Sequence, residues 1–423
     1  MDALKFDLMK MIETDTSQNS ILDENYRNAV ITHFYRTTTK PAKITKDTAI
    51  SIARDELLSK PGAKARVSSA SVMDEIPLLF PQLIQDVPFP PVEDPTFTFI
   101  DLFAGIGGFR LAMQDLGGEC VFSSEWDKSA QKTYFTNFGE VPFGDITDRR
   151  IKNHVPDNFD ILCAGFPCQA FSIAGRRGGF EDTRGTLFFH VAEIIKEKRP
   201  KAVFLENVKG LKSHNRGKTL DTILNVLDEL EYDVVPHKII NAKDFGVAQN
   251  RERIFIVAFD RNLKNLRPFE YPAPTSKEGQ VKFSKHMETK KVSAKYYLSK
   301  RYLDTLVKHR ARHEAKGNGF GYEIIDKNGI ANAIVVGGMG RERNLVVDFR
   351  QDDLTPVTNI KGEINTDGIR KMTPREWANL QGFPKKFKIP VADASAYKQF
   401  GNSVAVPAIR ATAKQILQSL GKI

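Results

Sequence analysis

Between residues 97 and 258 the chain repeats one pattern, a short apolar run followed by a stretch of helical character. The runs are Thr98–Phe103, Cys120–Ser124, Phe159–Ala164, Ala202–Leu205 and Ile254–Ala258. Runs this short suit strands better than buried helices. Their continuous apolarity leaves no wet face, so both faces must be covered. Alternation with helical segments, the first from about Phe109, therefore predicts an α/β fold with a mostly parallel sheet between two helical layers.

The flanking segments break this pattern. Residues 1–95 contain helix-like stretches, Met1 to Glu13 and Thr48 to Leu58, then Lys60-Pro61-Gly62 and a proline-laden run from Pro88 to Pro95. They are expected to form an N-terminal helical appendage and linker crossed by few contacts. Residues 96–270 form the main domain. From 271 to 368 the chain is richer in Gly, Lys and Arg, which predicts a separate smaller domain. Residues 369–423, with a helix-like Pro374 to Gln381, return to the main domain.

Charge follows the same division. The net charge is +10, and the first 96 residues hold 11 Lys/Arg against 14 Asp/Glu, so the remainder carries a surplus of +13. A body this basic suits a polyanionic partner. No apolar run reaches the roughly 18 residues of a membrane span, and no secretory leader is evident at Met1. Three cysteines, Cys120, Cys163 and Cys168, without a CxxC pair, argue against a disulfide framework or zinc site. A cytoplasmic protein without metal is expected.

Three places carry chemistry. The first is Asp101-Leu102-Phe103-Ala104-Gly105-Ile106-Gly107-Gly108, a strand running into a glycine turn, with Glu125 twenty residues after Gly105. Glycines admit a nucleotide-like ligand close to the backbone, and an acid so placed accepts from ribose hydroxyls. By itself the pattern also suits a dinucleotide enzyme or a structural turn. Phe109-Arg110 after the glycines fit a methionine-derived nucleoside at least as well as a pyrophosphate.

The second place is Gly165-Phe166-Pro167-Cys168-Gln169-Ala170-Phe171-Ser172, directly after the third strand. It puts Cys168 at the carboxyl end of a parallel strand, where open α/β sheets bind ligands. Cys120 and Cys163 lie within strand patterns and read as small buried hydrophobes. A thiolate at Cys168 is a nucleophile at neutral pH if its pKa is lowered. The third place pairs Glu206, just after the fourth strand, with Gln249-Asn250-Arg251-Glu252-Arg253 before the fifth. Glu206 is a candidate proton donor, or a helix cap. Arg251 and Arg253 are donors to a base or phosphate, or a solvated face.

Taken in order, these motifs resemble the DNA cytosine-5 methyltransferases, over about Thr96 to Ile423. The matching elements are DLFAGIGG, GFPCQAFS, ENV, QNRER, a variable region, Arg370 to Pro384, and Gly401-Asn402-Ser403-Val404. The resemblance implies a Rossmann-like S-adenosylmethionine-dependent domain, with S-adenosylhomocysteine as product. It implies that Phe103 stacks on adenine, Glu125 binds ribose, Asp145 binds the adenine amino group, Trp126 packs beside it and Asn402 closes the methionine end. Ala104, Gly105, Gly107, Ile146, Pro167 and Ser403 complete that pocket. Cys168 attacks C6 of a flipped-out cytosine and forms a covalent adduct, while Glu206 holds N3 and the exocyclic amine. Arg253 reaches O2, with Arg251 beside it.

Within the family the chain resembles the HpaII-type enzymes of bacterial restriction–modification systems, which act on CCGG, and the resemblance runs into the variable region. It implies a target-recognition domain at 271–368, with Gly338, Arg341 and Arg343 entering DNA and Arg176 and Arg177 closing on phosphate. The implied partners are double-stranded DNA and, functionally, a cognate restriction endonuclease that need not touch a monomeric enzyme. Three other readings compete: an RNA cytosine-5 methyltransferase of the same fold, a non-enzymatic DNA-binding protein on this scaffold, and a dinucleotide-dependent oxidoreductase. The oxidoreductase leaves the Pro167-Cys168-Gln169 loop and the Asn402 segment unexplained.

Overall fold

The computed structural model describes residues 24–39, 41–59, 69–167, 187–276, 281–337, 340–357 and 362–423. Helices α1 (Glu24–Arg36), α2 (Lys43–Leu58) and α3 (Ser69–Leu79) precede strand β1 (Phe97–Leu102). Next come α4 (Gly108–Gln114), β2 (Gly118–Ser124), α5 (Lys128–Phe138), β3 (Ile161–Ala164), α6 (Leu187–Lys198) and β4 (Ala202–Val208). They are followed by α7 (Lys218–Glu229), β5 (Tyr232–Val234), β6 (Lys238–Asn241), β7 (Gln249–Asn250) and β8 (Glu252–Asp260). The remainder holds α8 (Lys300–Glu314), β9 (Ala331–Asn332), β10 (Leu345–Val347), β11 (Ile369–Lys371), α9 (Pro374–Leu380), α10 (Asp393–Asn402) and α11 (Val406–Ser419). The stretches 1–13 and 60–62 singled out in the sequence lie outside the described residues.

The main sheet runs β2-β1-β3-β4-β8-β5, with β6 also on β8. Its first four strands are parallel, as expected. Successive side chains point to opposite faces, and both faces are covered. Phe97, Phe99, Ile161, Cys163, Ala202, Phe204, Phe255 and Val257 enter one core. Their neighbours Ile100, Leu102, Leu162, Ala164, Val203, Leu205, Ile254 and Ile256 enter the other. That double burial is the reason these runs read as continuously apolar.

The run at Ile254–Ala258 departs from the parallel expectation. As part of β8 it lies antiparallel between β4 and the β5/β6 pair. A parallel return needs a crossover of a dozen or more residues. Only a single short turn, Ala242–Phe245, and β7 separate β6 from β8, so the chain doubles back beside itself. The strand order reverses between β1, with β2 on one side, and β3 on the other. In such sheets a ligand binds outside the carboxyl ends of the strands at this switch point.

The N-terminal helices are present, but the expectation that few contacts join them to the body is corrected. Val30, Ile31, Ile52, Val72, Ile76 and Leu83 are buried in the same core as Phe122 and Phe143. The backbone N–H of Ser123 in β2 donates to His33 Nε2 at 3.2 Å. Thr38 and Thr39 donate to the carboxylate of Glu119, and Tyr26 and Thr45 flank the two ring nitrogens of His154 at 2.8 and 3.0 Å. Even Phe89, inside the proline run, donates its N–H to Asn137 O at 3.0 Å. The reason is that β2 is the sheet edge, and a bare edge must be covered. Proline content reports irregular backbone and carries no information on burial.

Residues 271–368 form two small clusters of their own, one with Leu298, Leu303, Leu306 and Leu345, the other with Val292, Ala294, Tyr297 and Ile364. The separation is partial, since Phe283, Ile325, Ile334 and Val346 join the large core. Among the described residues no helix is long and apolar enough to cross a membrane.

Candidate active site

The glycine turn after β1 is backbone-strained. Phe103 has φ +57° and is half-buried; a bulky residue at positive φ is held there by its surroundings. Gly107 has φ +85°, and a Cβ there would lie 2.3 Å from the Phe138 ring, so only glycine fits. A Cβ on Gly105 would meet nothing within 4 Å, so that side of the turn is open. Ala104 is buried beneath it.

Glu125 ties this turn to the end of β2. Its carboxylate accepts from the N–H of Gly105 at 2.8 Å and of Asp127 at 2.8 Å, and burial raises its pKa. Next to it Trp126 is 76% exposed. Phe143 continues the β2 edge, donating to Ser123 O and accepting from Glu125 N, each at 2.8 Å. This brings exposed Asp145 and buried Ile146 beside Glu125. Phe103, Ala104, Gly105, Gly107, Glu125, Trp126, Asp145 and Ile146 thus line the ends of two adjacent strands.

The C-terminal segment reaches the same place. A Cβ on Gly108 would lie 2.9 Å from Ser403 Oγ and 2.7 Å from Val404, so residues 403–404 rest on the first turn of α4. Asn402 is exposed at the end of α10.

Glu206 stands near the end of β4 and is 8% exposed. Its Oε1 lies 3.2 Å from Arg253 Nε. Desolvation raises its pKa against the opposing pull of Arg253 and Arg251, which favours the protonated acid. The loop after β3 lies alongside: a Cβ on Gly165 would sit 3.8 Å from Glu206 Oε2, 3.7 Å from Val404 and 3.6 Å from Phe109. Asn207 Nδ2 pins this loop by donating to Phe166 O at 2.7 Å. Pro167 is exposed. Cys168, Arg176, Arg177 and Gly338 lie outside the described residues. Cys120 and Cys163 are buried, as expected, and burial pushes both thiols far above their usual range.

Arg251, expected to offer donors to a base or phosphate, is committed elsewhere. Its Nη1 donates to Ile334 O at 2.8 Å, and Nη2 donates to Gly401 O at 3.0 Å and Ser403 O at 2.7 Å. It staples the variable region and the C-terminal return to the base of the site, while Arg253 stays beside Glu206. Sequence reasoning missed two partners of this staple. Gln249 Nε2 donates to Leu380 O at 2.9 Å and to Gln381 Oε1 at 3.1 Å, and Gln381 Nε2 donates to Ser403 O at 3.0 Å. The Gln of the QNRER run was the available signal, but its partner is 132 positions away.

A glycine turn tied to Glu125, with a buried carboxylic acid at Glu206, is matched by known proteins. The family described as C-5 cytosine-specific DNA methylase matches residues 97–418. The chain belongs to that family. It is 69% identical over 328 residues to type II methyltransferase M.HpaII of Haemophilus parainfluenzae, covering 77% of this chain and 91% of that relative. Against type II methyltransferase M.HhaI of Haemophilus parahaemolyticus the identity is 42% over 328 residues, covering 76% and 94%. The crystal structure of S. pombe Dnmt2 methyltransferase shares the fold, with a TM-score of 0.58 at 19% identity over 77% of this chain and 99% of that one. This cytosine-5 methylase is therefore a DNA methyltransferase on a Rossmann-like α/β fold.

Of the methylase's two described candidate DNA-reading arginines, Arg341 is exposed with its guanidinium 5.4 Å from the Tyr397 ring centroid. Arg343 pairs with Glu323 at 3.1 Å. Arg343 must exchange that partner to enter a groove.

Proposed function

We propose that this methylase transfers the methyl group of S-adenosylmethionine to C5 of the inner cytosine of CCGG in double-stranded DNA, acts as a monomer, and protects that DNA from a cognate restriction endonuclease. The observation that carries the reading is the buried Glu206, 3.2 Å from Arg253 and beside the loop leading into Cys168. Residues 96–270 and 369–423 supply the chemistry and 271–368 the recognition. The CCGG target is supported by the 69% identity to M.HpaII over 91% of that relative's length.

The residues at the ends of β1 and β2 suit an adenosine: an open face at Gly105, an exposed indole at Trp126, and carboxylates at Glu125 and Asp145 for ribose and amine donors. S-adenosylmethionine supplies an electrophilic methyl group. Cytosine C5 is by itself a poor nucleophile. The Cys168 thiolate adds to C6, Glu206 gives its proton to N3, and the ring electrons move to C5, which becomes enamine-like and able to accept methyl. Loss of the C5 proton to solvent, expulsion of the thiolate and return of the N3 proton to Glu206 restore the ring. Arg253 orients the base through O2. The target leaves the duplex stack to reach these groups, at a cost of a few kcal/mol.

Labelled S-adenosylmethionine with plasmid DNA, followed by bisulfite mapping, tests this. Label at the inner cytosine of CCGG is expected, with none on RNA and none with Cys168→Ser. Modification spread over other sequences refutes the target, and a fully active serine variant refutes the mechanism.

A further inference from the structure

Helix α1 lies outside the family match, which begins at residue 97, and it takes no part in the chemistry above. Its polar side chains nevertheless converge on one short segment, Glu140–Phe143, which leads into Asp145. His33 Nε2 lies 3.2 Å from Glu140 Oε1. The N–H of Val141 donates to Thr32 Oγ1 at 2.9 Å. Pro142 O accepts from Gln131 Nε2 at 3.3 Å, and the same amide donates to Glu125 O at 2.6 Å. Asn25 Nδ2 holds the other end of that amide, donating to Gln131 Oε1 at 3.2 Å. The Phe143 ring is 4.5 Å from the His33 ring and stacks on Phe122 and His154 at 5.1 and 4.7 Å. Tyr26 in turn fixes His154.

Covering an apolar core needs only apolar side chains. The Asn25 and Thr32 contacts are directional hydrogen bonds to Gln131 and to Val141 N–H, and the Gln131 amide in turn ties Glu125 O to Pro142 O, on the approach to Asp145. We propose that α1 is a positioning element for the cofactor pocket. Through Asn25, Thr32 and His33 it sets the separation of Glu125 and Asp145, and so the affinity for the adenosine end of S-adenosylmethionine. The proposal rests on the reading of Glu125 and Asp145 as adenosine ligands. Glu206 stands near the carboxyl end of β4 and Arg253 near the start of β8, neither of them on the β2 edge that α1 covers, so turnover with cofactor saturating should be insensitive to it.

The test uses the full chain carrying Asn25→Ala with Thr32→Val, which remove the bonds to Gln131 and Val141, together with the local bond of Thr32 Oγ1 to Ala29 O, and keep the apolar packing. Calorimetric titration with S-adenosylmethionine should show affinity weakened roughly tenfold, as expected when the bonds to Gln131 and Val141 are lost. KM for the cofactor should rise in step, kcat should stay within about twofold, and KM for DNA should not change. Restoring the hydroxyl with Thr32→Ser should recover part of the affinity. Unchanged cofactor affinity, or an equal loss in kcat and in both KM values, overturns the proposal. Asp145→Ala separates the two levels. If it leaves cofactor binding intact, the reading of the pocket fails first. If it weakens binding while the α1 variant does not, the proposal alone fails.

Discussion

A chain beginning at Pro95 should not fold into a soluble monomer. The deletion removes Val30, Ile31, Ile52, Val72, Ile76, Phe80 and Leu83, each at most 9% exposed. At roughly 1.5–3 kcal/mol for each large buried apolar side chain, their burial amounts to about 10–20 kcal/mol, an upper value because denatured chains are themselves compact. The lost ordering entropy of the deleted residues offsets much of this. What is left behind decides the outcome. Phe122 and Phe143 become exposed at the edge strand, and Glu119, His154 and the Ser123 N–H lose partners. Stranded buried polar groups cost about 1–3 kcal/mol each, against a net domain stability of about 5–15 kcal/mol. Size-exclusion chromatography, circular-dichroism melts and binding of a hydrophobic dye, run beside the full chain, measure the result. A monomeric 95–423 fragment melting cooperatively within about 5 °C of the parent, with parental methylation, would refute this reasoning.

Three further outcomes follow from the site. Arg251→Lys loses the planar fork that serves Ile334, Gly401 and Ser403, and should cost about 3 kcal/mol in urea denaturation along with cofactor affinity; a change under about 0.5 kcal/mol would show the staple to be dispensable. Glu125→Ala releases the Gly105 N–H as well as a ribose partner and should weaken S-adenosylmethionine binding by about 1–3 kcal/mol in calorimetry; unchanged affinity removes Glu125 from that role. Acid should destabilise the protein through His154, which burial pushes down to about 4 from an ordinary 6.5. Above pH 6.5 neither state holds the extra proton. Between 6.5 and 4 only the unfolded chain binds it, so this group's contribution falls by up to about 3 kcal/mol as pH drops. Urea midpoints at pH 7.5, 5.5 and 4.5 should fall less in His154→Gln than in the parent, and parallel curves would refute the assignment.

Local chemistry made much of this protein legible in its sequence. Strands buried on both faces must be apolar at every position, so the parallel half of the sheet announces itself in runs such as Phe99–Leu102 and Ile161–Ala164. The glycine turn is readable because Gly107 sits where a Cβ would strike Phe138. The linear order of the motifs carried the family.

Tertiary structure alone decided three other things. It decided the direction of β8, which depends on the absence of a crossover helix rather than on the strand's own residues. It decided the role of Arg251, whose partners lie 83 to 152 positions away and are backbone carbonyls that no side-chain pattern reveals. And it decided the place of α1, which nothing in the sequence separates from the rest of the appendage, while its polar side chains engage Val141, Gln131 and Ser123. A hydrogen bond to a distant backbone group leaves no periodicity in either partner's sequence, so only the folded chain shows it.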